Sequence, residues 1–392
     1  MKVTGVETLP LDYACDPPPF SAGGPSRGRA ALLVLVRTDA GVTGIGEAGL
    51  GGAPLRVVDA LVREELAPCV VGQDPFYVER CWRLMWQRSR AHGRAGLAMF
   101  GISGIDLALW DVVGKATGTP LFKLWGAYRD RVPAYFSGGF YRRGKGLDAL
   151  REEAGQAVER GFRGLKMKIG RNPEIPASPL EFQAEGEELT NDFEHDLERV
   201  AAVREVLGSG RELMLDVNCN WTPAFALRAG RALERFRPLW LEEPVAADDH
   251  DGSAEVARGL DMSVAGYETV VGLAGWRSLI ERRAVDVVQP DVAWVGGFTE
   301  ARRIAALAHA HHLLCAPHAF SSAVLLQATL HFLAALPNGL WLEWDQNPNP
   351  LRSELAREPL ALDRDGTVRL PERPGLGLEL EPSVVDRHRV EL

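Results

Sequence analysis

Three carboxylates stand at equal intervals along the chain: Asp216, Glu242 and Glu268, 26 residues apart each time. Each lies at the end of a short apolar run, in "LMLDVN", "WLEEP" and "SVAGYE". If those runs are parallel strands and the interval is one βα unit, the carboxylates sit on neighbouring strand ends and converge. Ligation by carboxylate oxygens alone suits Mg²⁺, which keeps open positions for water or substrate oxygens. A second pattern lies upstream in "GFRGLKMKIG". Lys166 and Lys168 are one residue apart in a run that otherwise reads as buried strand. Alternate residues of a strand face the same side, so both ammonium groups point one way. Burying two like charges is costly unless something negative meets them. Further along, Asp291 ends "DVVQPD", His318 ends "LLCAPH" and Glu343 lies in "WLEWD"; Asn218 follows Asp216 by two.

Each residue alone has an ordinary explanation. A strand-end Asp or Glu commonly caps a helix or makes a surface ion pair, and Asp291 is placed to cap the helix after "PDVAWVGG". Alternate lysines often mark the solvent face of an edge strand. A single histidine in an apolar stretch is more often a satisfied core residue. Seven of eight strand ends carry such a group, however, and independent caps and ion pairs rarely line up in that way.

The elements that must position them follow from the pattern. From about residue 130, short apolar runs alternate with helical stretches: "PAYFSG", "LKMKIG", "LMLDVN", "WLEEP", "SVAGYE", "DVVQPD", "LLCAPH" and "WLEWD". Alternating β and α elements imply a parallel sheet, eight strands imply a closed barrel, and catalytic groups sit on the C-terminal rim of such barrels. The preceding part reads as α+β. Its first 30 residues are expected to be irregular, with a loop at 16–28. A hairpin follows over 31–48, turning at Asp39-Ala40-Gly41, and then helices over 54–66 and 101–118. The expected division is 1–128 for the α+β domain, 129–345 for the barrel and 346–392 for a C-terminal segment returning over the first domain. "GIGEAG" at 44–49 fits GxGxxG but opens no helix, so its glycines read as turn residues. "HAHH" at 309–312 lacks zinc-ligand spacing and reads as a solvated helix end.

Composition sets the bounds. The 392 residues are 46% hydrophobic and 25% charged, which is ordinary for a globular protein, and the net charge of −9 argues against nucleic acid or an anionic membrane as partner. The five cysteines are scattered and include no CxxC, which fits reduced thiols in the cytoplasm. The N-terminus has no apolar core of a signal peptide, and the longest apolar run, 30–36, is too short to span a bilayer.

Together the motifs resemble the enolase superfamily, in particular its mandelate racemase subgroup. The marks are "GIGE" at 44–47, "SGIDLALWD" at 103–111, "KMK" at 166–168, "DVN" at 216–218, "EEP" at 242–244, "AGYE" at 265–268, "QPD" at 289–291, "APH" at 316–318 and "LE" at 342–343. The resemblance implies a modified (β/α)₇β TIM barrel with an N-terminal α+β capping domain completed by the C-terminal segment. It implies Mg²⁺ on Asp216, Glu242 and Glu268. Lys168 would be one acid/base; Lys166 would contact the substrate carboxylate and depress its neighbour's pKa. Asp291 and His318 would form a dyad serving as the second acid/base. Glu343 would hydrogen-bond a substrate carboxylate oxygen, with Asn218 a further substrate contact. The implied partner is a small carboxylate acid, with a homo-oligomer expected.

Three features depart from the pattern. "AGYET" alters the context of the third ligand. Residues 171–196 lengthen the second βα connection, as a lid or an interface. The sixth strand end has no lysine, so the muconate-lactonising subgroup fits poorly.

The chemistry so implied is removal of a proton alpha to a carboxylate, through an enediolate, by a base whose pKa lies near working pH. With a β-hydroxyl present, the intermediate expels it and a 2-keto-3-deoxy acid results; sugar-acid dehydration is the favoured reading. Without one, reprotonation on the opposite face gives racemisation or epimerisation. A non-catalytic binding protein on the same fold is the reading from another class. Specificity is expected in loops 15–29 and 48–55, where Arg27 or Arg29 would either meet the substrate's far end or simply be solvated.

Overall fold

The computed structural model describes residues 1–15, 18–22, 24–25, 28–174 and 192–392. Arg27 and the stretch 175–191 of the long second connection lie outside the described residues. Strand β1 (Val3–Ala14) pairs antiparallel with β2 (Gly28–Thr38), which pairs with β3 (Thr43–Ala48). The hairpin turns where expected, with Gly41 at φ 75° and its N–H on the Thr38 carbonyl. The expectation of an irregular first 30 residues is corrected by β1. Gly5, Glu7 and Pro10 break its apolar alternation, but it is an edge strand, where a missing proline N–H is tolerated. Helix α1 (Val78–Gly93) and α2 (Leu97–Ala116) cover the sheet. The residues 55–70 are helical with a π segment at Leu61–Leu66. The apolar length of α2 is taken up by burial in the core. The "GIGE" glycines are not turn residues: they lie within β3 and let α2 approach, since a Cβ on Gly44 or Gly46 would come 2.1 or 2.2 Å from a backbone oxygen of Ala108 or Gly104.

The barrel follows as β4 (Arg131–Gly138), α3 (Leu147–Glu159), β5 (Gly164–Lys168), α4 (Phe193–Leu207), β6 (Glu212–Asp216), α5 (Pro223–Leu233), β7 (Trp240–Glu242), α6 (His250–Gly259), β8 (Ser263–Gly266), α7 (Gly272–Glu281), β9 (Val287–Val288), α8 (Gly297–Ala310), β10 (Leu314–Cys315), α9 (Ala323–Ala334) and β11 (Leu342–Asp345). Every ladder between these strands is parallel, in the order β10-β9-β8-β7-β6-β5-β4-β11. The ring closes through bonds of Cys315 N–H to Asn338 and of Leu340 N–H to Cys315. This is the (β/α)₇β barrel. Tyr135, Met214, Trp240, Ala265, Val287 and Ala316 plug its interior, while a larger core lies between sheet and helices.

The C-terminal segment comes back across both parts. Strand β12 (Thr367–Arg369) adds antiparallel to β4. Val390 N–H bonds Pro10 beyond helix α10 (Pro382–His388), and Leu376 N–H bonds the Asp111 carboxylate of α2.

Candidate active site

The strand register puts Lys168, Asp216 and Glu242 side by side on β5, β6 and β7. Lys166, one pleat deeper, lies opposite Ser137 of β4. Both lysines are buried, and Lys166 is only 1% exposed. The negative groups that such burial demands are present. Lys166 Nζ bonds the Glu242 carboxylate, lies 2.9 Å from Glu343 Oε1 and 3.6 Å from Asp216 Oδ2. Lys168 Nζ bonds Asp216 Oδ2. Ser137 Oγ donates to Glu343 Oε1 at 2.7 Å and Ala319 N–H to its Oε2 at 3.0 Å. Trp240 Nε1 and Gln289 Nε2 both donate to Glu242 Oε2 at 2.9 Å. Gln289, within the "QPD" mark, and Trp240 were given no role by the sequence, because an amide and an indole carry no signal until their partner is known.

On the other side of the cavity mouth, His318 Nδ1 is 2.6 Å from Asp291 Oδ2, and His318 Nε2 is 3.8 Å from Glu268 Oε1. Asp291 also receives the Ala293 N–H on its Oδ1 at 2.7 Å. It therefore caps a turn and holds the imidazole at once, one oxygen for each task. Trp294 meets the His318 ring edge-on at 5.5 Å, and Phe320 lies along it at 6.2 Å. Lys168, Asn218, Cys219, Glu243, Glu268, Trp294, His318 and Phe320 line one cavity of about 880 Å³, with Phe140 beside Lys168. Its roof comes from the first domain, through Ser21, Gly28, Arg29 and the loop Leu50–Ala53. Arg29 is not a solvated loop residue: it lies on β2, 5% exposed, over the Phe320 ring and 3.6 Å from Asp345.

The charges decide the protonation states. For Lys166, burial disfavours the cation, but Glu242, Glu343 and Asp216 outweigh it and hold the pKa well above normal. For Lys168, burial disfavours the cation and Lys166 adds to that, but the Asp216 carboxylate prevails and the pKa is raised. The expected depression of the Lys168 pKa is absent, because the carboxylate of Asp216 overrides the charge of Lys166. Asp216 is held low because the two lysines overcome its burial. Glu343 is likewise held well below the carboxylate range by Lys166 and His318. Burial pushes Glu242 up to about 8 despite Lys166. Glu243 is raised further, by burial and then by Glu268 and Asp216. Burial opposes protonation of His318, yet Glu268, Asp291 and Glu343 raise it to about 10.

The donor set was tested against a divalent cation. Among the described residues no three donors are already gathered at ligand spacing, because Lys166 stands among Asp216, Glu242 and Glu343 while Glu268 faces His318. The chemistry nevertheless fits. The carboxyls of Asp216, Glu242, Glu243, Glu268, Asp291 and Glu343 outnumber the bases Lys166, Lys168 and His318. Two oxygens, Asn218 Oδ1 and Glu243 Oε1, are buried with no hydrogen-bond partner in residues that line the cavity. Orphaned oxygen acceptors in a site of surplus negative charge suit a hard cation such as Mg²⁺.

Comparison with known proteins agrees with this architecture. The model for the enolase C-terminal domain-like family matches residues 149–384, and that for the mandelate racemase / muconate lactonizing enzyme N-terminal domain matches residues 12–126. The chain is 34% identical over 354 residues to arabinonate dehydratase of Saccharolobus solfataricus, covering 90% of this chain and 89% of that enzyme. It is 35% identical over 402 residues to D-galactarolactone cycloisomerase of Agrobacterium fabrum, covering 100% and 99%. The crystal structure of L-talarate dehydratase from Polaromonas sp. JS666, complexed with Mg and L-glucarate, superposes with a TM-score of 0.83 at 31% identity, covering 100% of this chain and 98% of that one.

Proposed function

The chain belongs to the mandelate racemase and muconate lactonizing enzyme family of the enolase superfamily, and from that premise we propose that it removes the proton alpha to the carboxylate of a sugar acid and expels the β-hydroxyl, giving a 2-keto-3-deoxy acid. One observation carries the reading: an ammonium, Lys168, and a carboxylate-held imidazole, His318, line the same cavity from different sides of the barrel mouth.

Lys168 accepts the α-proton on Nζ after releasing its own. Lys166 orients the substrate carboxylate by charge; Glu343, held as a carboxylate by Lys166 and His318, would donate a hydrogen bond to it only once the arriving substrate anion raises its pKa and it takes up a proton. Asn218 offers a further polar contact at the same edge. Asp216, Glu242 and Glu268 would hold Mg²⁺, which when bound would supply Lewis-acid compensation for negative charge developing on the substrate carboxylate. His318 carries a proton on Nε2 toward the leaving hydroxyl, while Asp291 fixes its tautomer and stabilises the imidazolium. Phe140, Phe320 and Trp294 keep water from the two proton carriers.

The L-talarate dehydratase structure complexed with Mg and the oxygen-only donor set support the metal; arabinonate dehydratase and L-talarate dehydratase support elimination from a sugar acid. A screen of aldonic and aldaric acids for 2-keto product, with added Mg²⁺, tests the proposal. Product from at least one acid is expected. Interconversion of C2 epimers without any 2-keto product would show a racemase instead.

A further inference from the structure

The segment that carries half of the dyad is held from the other domain. After β9 the chain runs through Asp291 and Trp294 to Gly296, and α8 begins at Gly297. Asp291 holds His318, and Trp294 meets its ring. Much of this segment's backbone is bonded to the capping domain. Gly49 N–H donates to Ala293 O at 2.9 Å, and Trp82 Nε1 of α1 donates to Gly296 O at 2.7 Å. The N–H groups of Gly296 and Gly297 both donate to Ser103 Oγ of α2, each at 2.9 Å. One turn along α2, Asp106 Oδ2 accepts the Thr299 N–H at 3.0 Å and its Oδ1 accepts the Thr299 hydroxyl at 2.6 Å. These are orphan N–H groups at the start of α8, satisfied across the domain boundary rather than by a local cap.

The path of the segment leaves no slack. Gly296 and Gly297 have φ of 112° and 78°, which side chains resist. A Cβ on Gly297 would come 2.3 Å from Asp106 Oδ2, and one on Gly49 would come 2.4 Å from the Trp294 ring. Ser103 and Asp106 are fully buried.

We infer that Ser103 and Asp106 are positioning residues for His318: from the capping domain they fix the Asp291–Gly297 segment, and through Asp291 and Trp294 they set the aim of the imidazole. The inference rests on the acid role proposed for His318. It predicts an asymmetry between the two proton carriers. Lys168 lies on β5 and makes no contact with this segment, so loosening the clamp harms elimination but leaves α-proton removal by Lys168. Asp111 provides the comparison. It lies on the same helix and is equally buried, but it accepts the N–H groups of Ile45 and Leu376, away from the segment.

The test compares Ser103→Ala, Asp106→Asn, Asp106→Ala and Asp111→Asn with the wild type in three readouts: the ratio of 2-keto product formed to solvent deuterium entering the substrate α-position, the ¹⁵N resonances of the His318 ring without substrate, and Tm. A misplacement on the order of 1 Å at a reacting group lowers rates by up to about 10²-fold. The Ser103 and Asp106 variants are therefore expected to lower the product-to-exchange ratio at least about tenfold and to shift the His318 resonances. Asp111→Asn is expected to lower Tm with both unchanged. Asp106→Asn, nearly isosteric, serves if an alanine variant fails to fold. An unchanged ratio and unchanged His318 resonances in folded clamp variants would overturn the inference, as would equal changes in Asp111→Asn. If the wild type transforms no sugar acid, the proposed function fails, and the ring resonances alone still decide whether the clamp sets the imidazole.

Discussion

Asp291→Asn is the most informative single substitution in the dyad. The wild-type imidazole has its pKa raised to about 10, against burial, by Glu268, by the Asp291 hydrogen bond and charge, and by Glu343. Asp291 is fully buried and only 2.6 Å from Nδ1. Removing an opposite charge at that range lowers a pKa by about one to three units, roughly 1.4–4 kcal/mol of preference for the imidazolium. Asparagine keeps the volume, and the imidazolium it leaves still faces Glu268 and Glu343, so the fold is retained. The protonated imidazole is the proposed acid. Since the wild-type group stays protonated until pH rises through its folded pKa, the variant must lose the acid at lower pH. A pH–rate profile of 2-keto product formation should show the alkaline limb displaced downward by at least about one unit. The plateau should fall about 10²- to 10⁴-fold, the usual worth of a general acid. Deuterium entry at the α-carbon, which depends on Lys168, should persist. A profile that superimposes on the wild type in both limb and plateau would refute the dyad as an acid.

Two other outcomes follow from the same contacts. Lys168→Ala should abolish turnover, yet calorimetric Mg²⁺ affinity should be unchanged or tighter, because Asp216 loses the ammonium that competes for its oxygen; wild-type turnover would exclude Lys168 as the base. His331 gives a stability signature independent of catalysis. It is buried between α9 and the C-terminal segment, accepts the Phe122 N–H at 3.3 Å, has its other ring nitrogen 2.9 Å from Leu376 O, and burial depresses its pKa to about 4. The unfolded chain binds a proton near pH 6.5 that the folded one refuses, so stability falls as pH drops through that window, by about 2 kcal/mol from pH 7 to 5 in urea unfolding. In His331→Leu that part of the pH dependence should vanish; an identical dependence would show that the histidine is not buried neutral.

How much of this was legible depended on the range of the contacts involved. The eight barrel strands showed themselves because each is a short apolar run and seven of them close on an ionisable residue, and the same alternation placed Lys166 and Lys168 on one face. Strand β1 did not, since its polar and apolar residues follow no strict period and its identity comes from pairing with β2. The "GIGE" glycines looked like turn residues because a strand glycine that admits a crossing helix has the same local sequence. Arg29 read more readily as a solvated loop residue, and only the approach of the two domains puts it against Phe320. Trp240 stands two residues before Glu242 on β7 itself, but Gln289 serves that carboxylate from the end of β9, and Ser103 and Asp106 reach a segment some 190 residues away. No local pattern encodes such partners. The carboxylates could be assigned to one end of the barrel from spacing alone, whereas their division between Lys166 and His318 needed the side-chain positions.

The central claim is Mg²⁺-dependent removal of an α-proton by this site. The direct measurement is proton NMR of sugar acids incubated with the protein in D₂O, with Mg²⁺ and again with chelator. The account predicts that at least one acid loses its C2 proton signal with Mg²⁺ and yields a 2-keto-3-deoxy product bearing solvent deuterium at C3, and that chelator stops both. Retention of every C2 proton signal, or loss that proceeds equally in chelator, would contradict it.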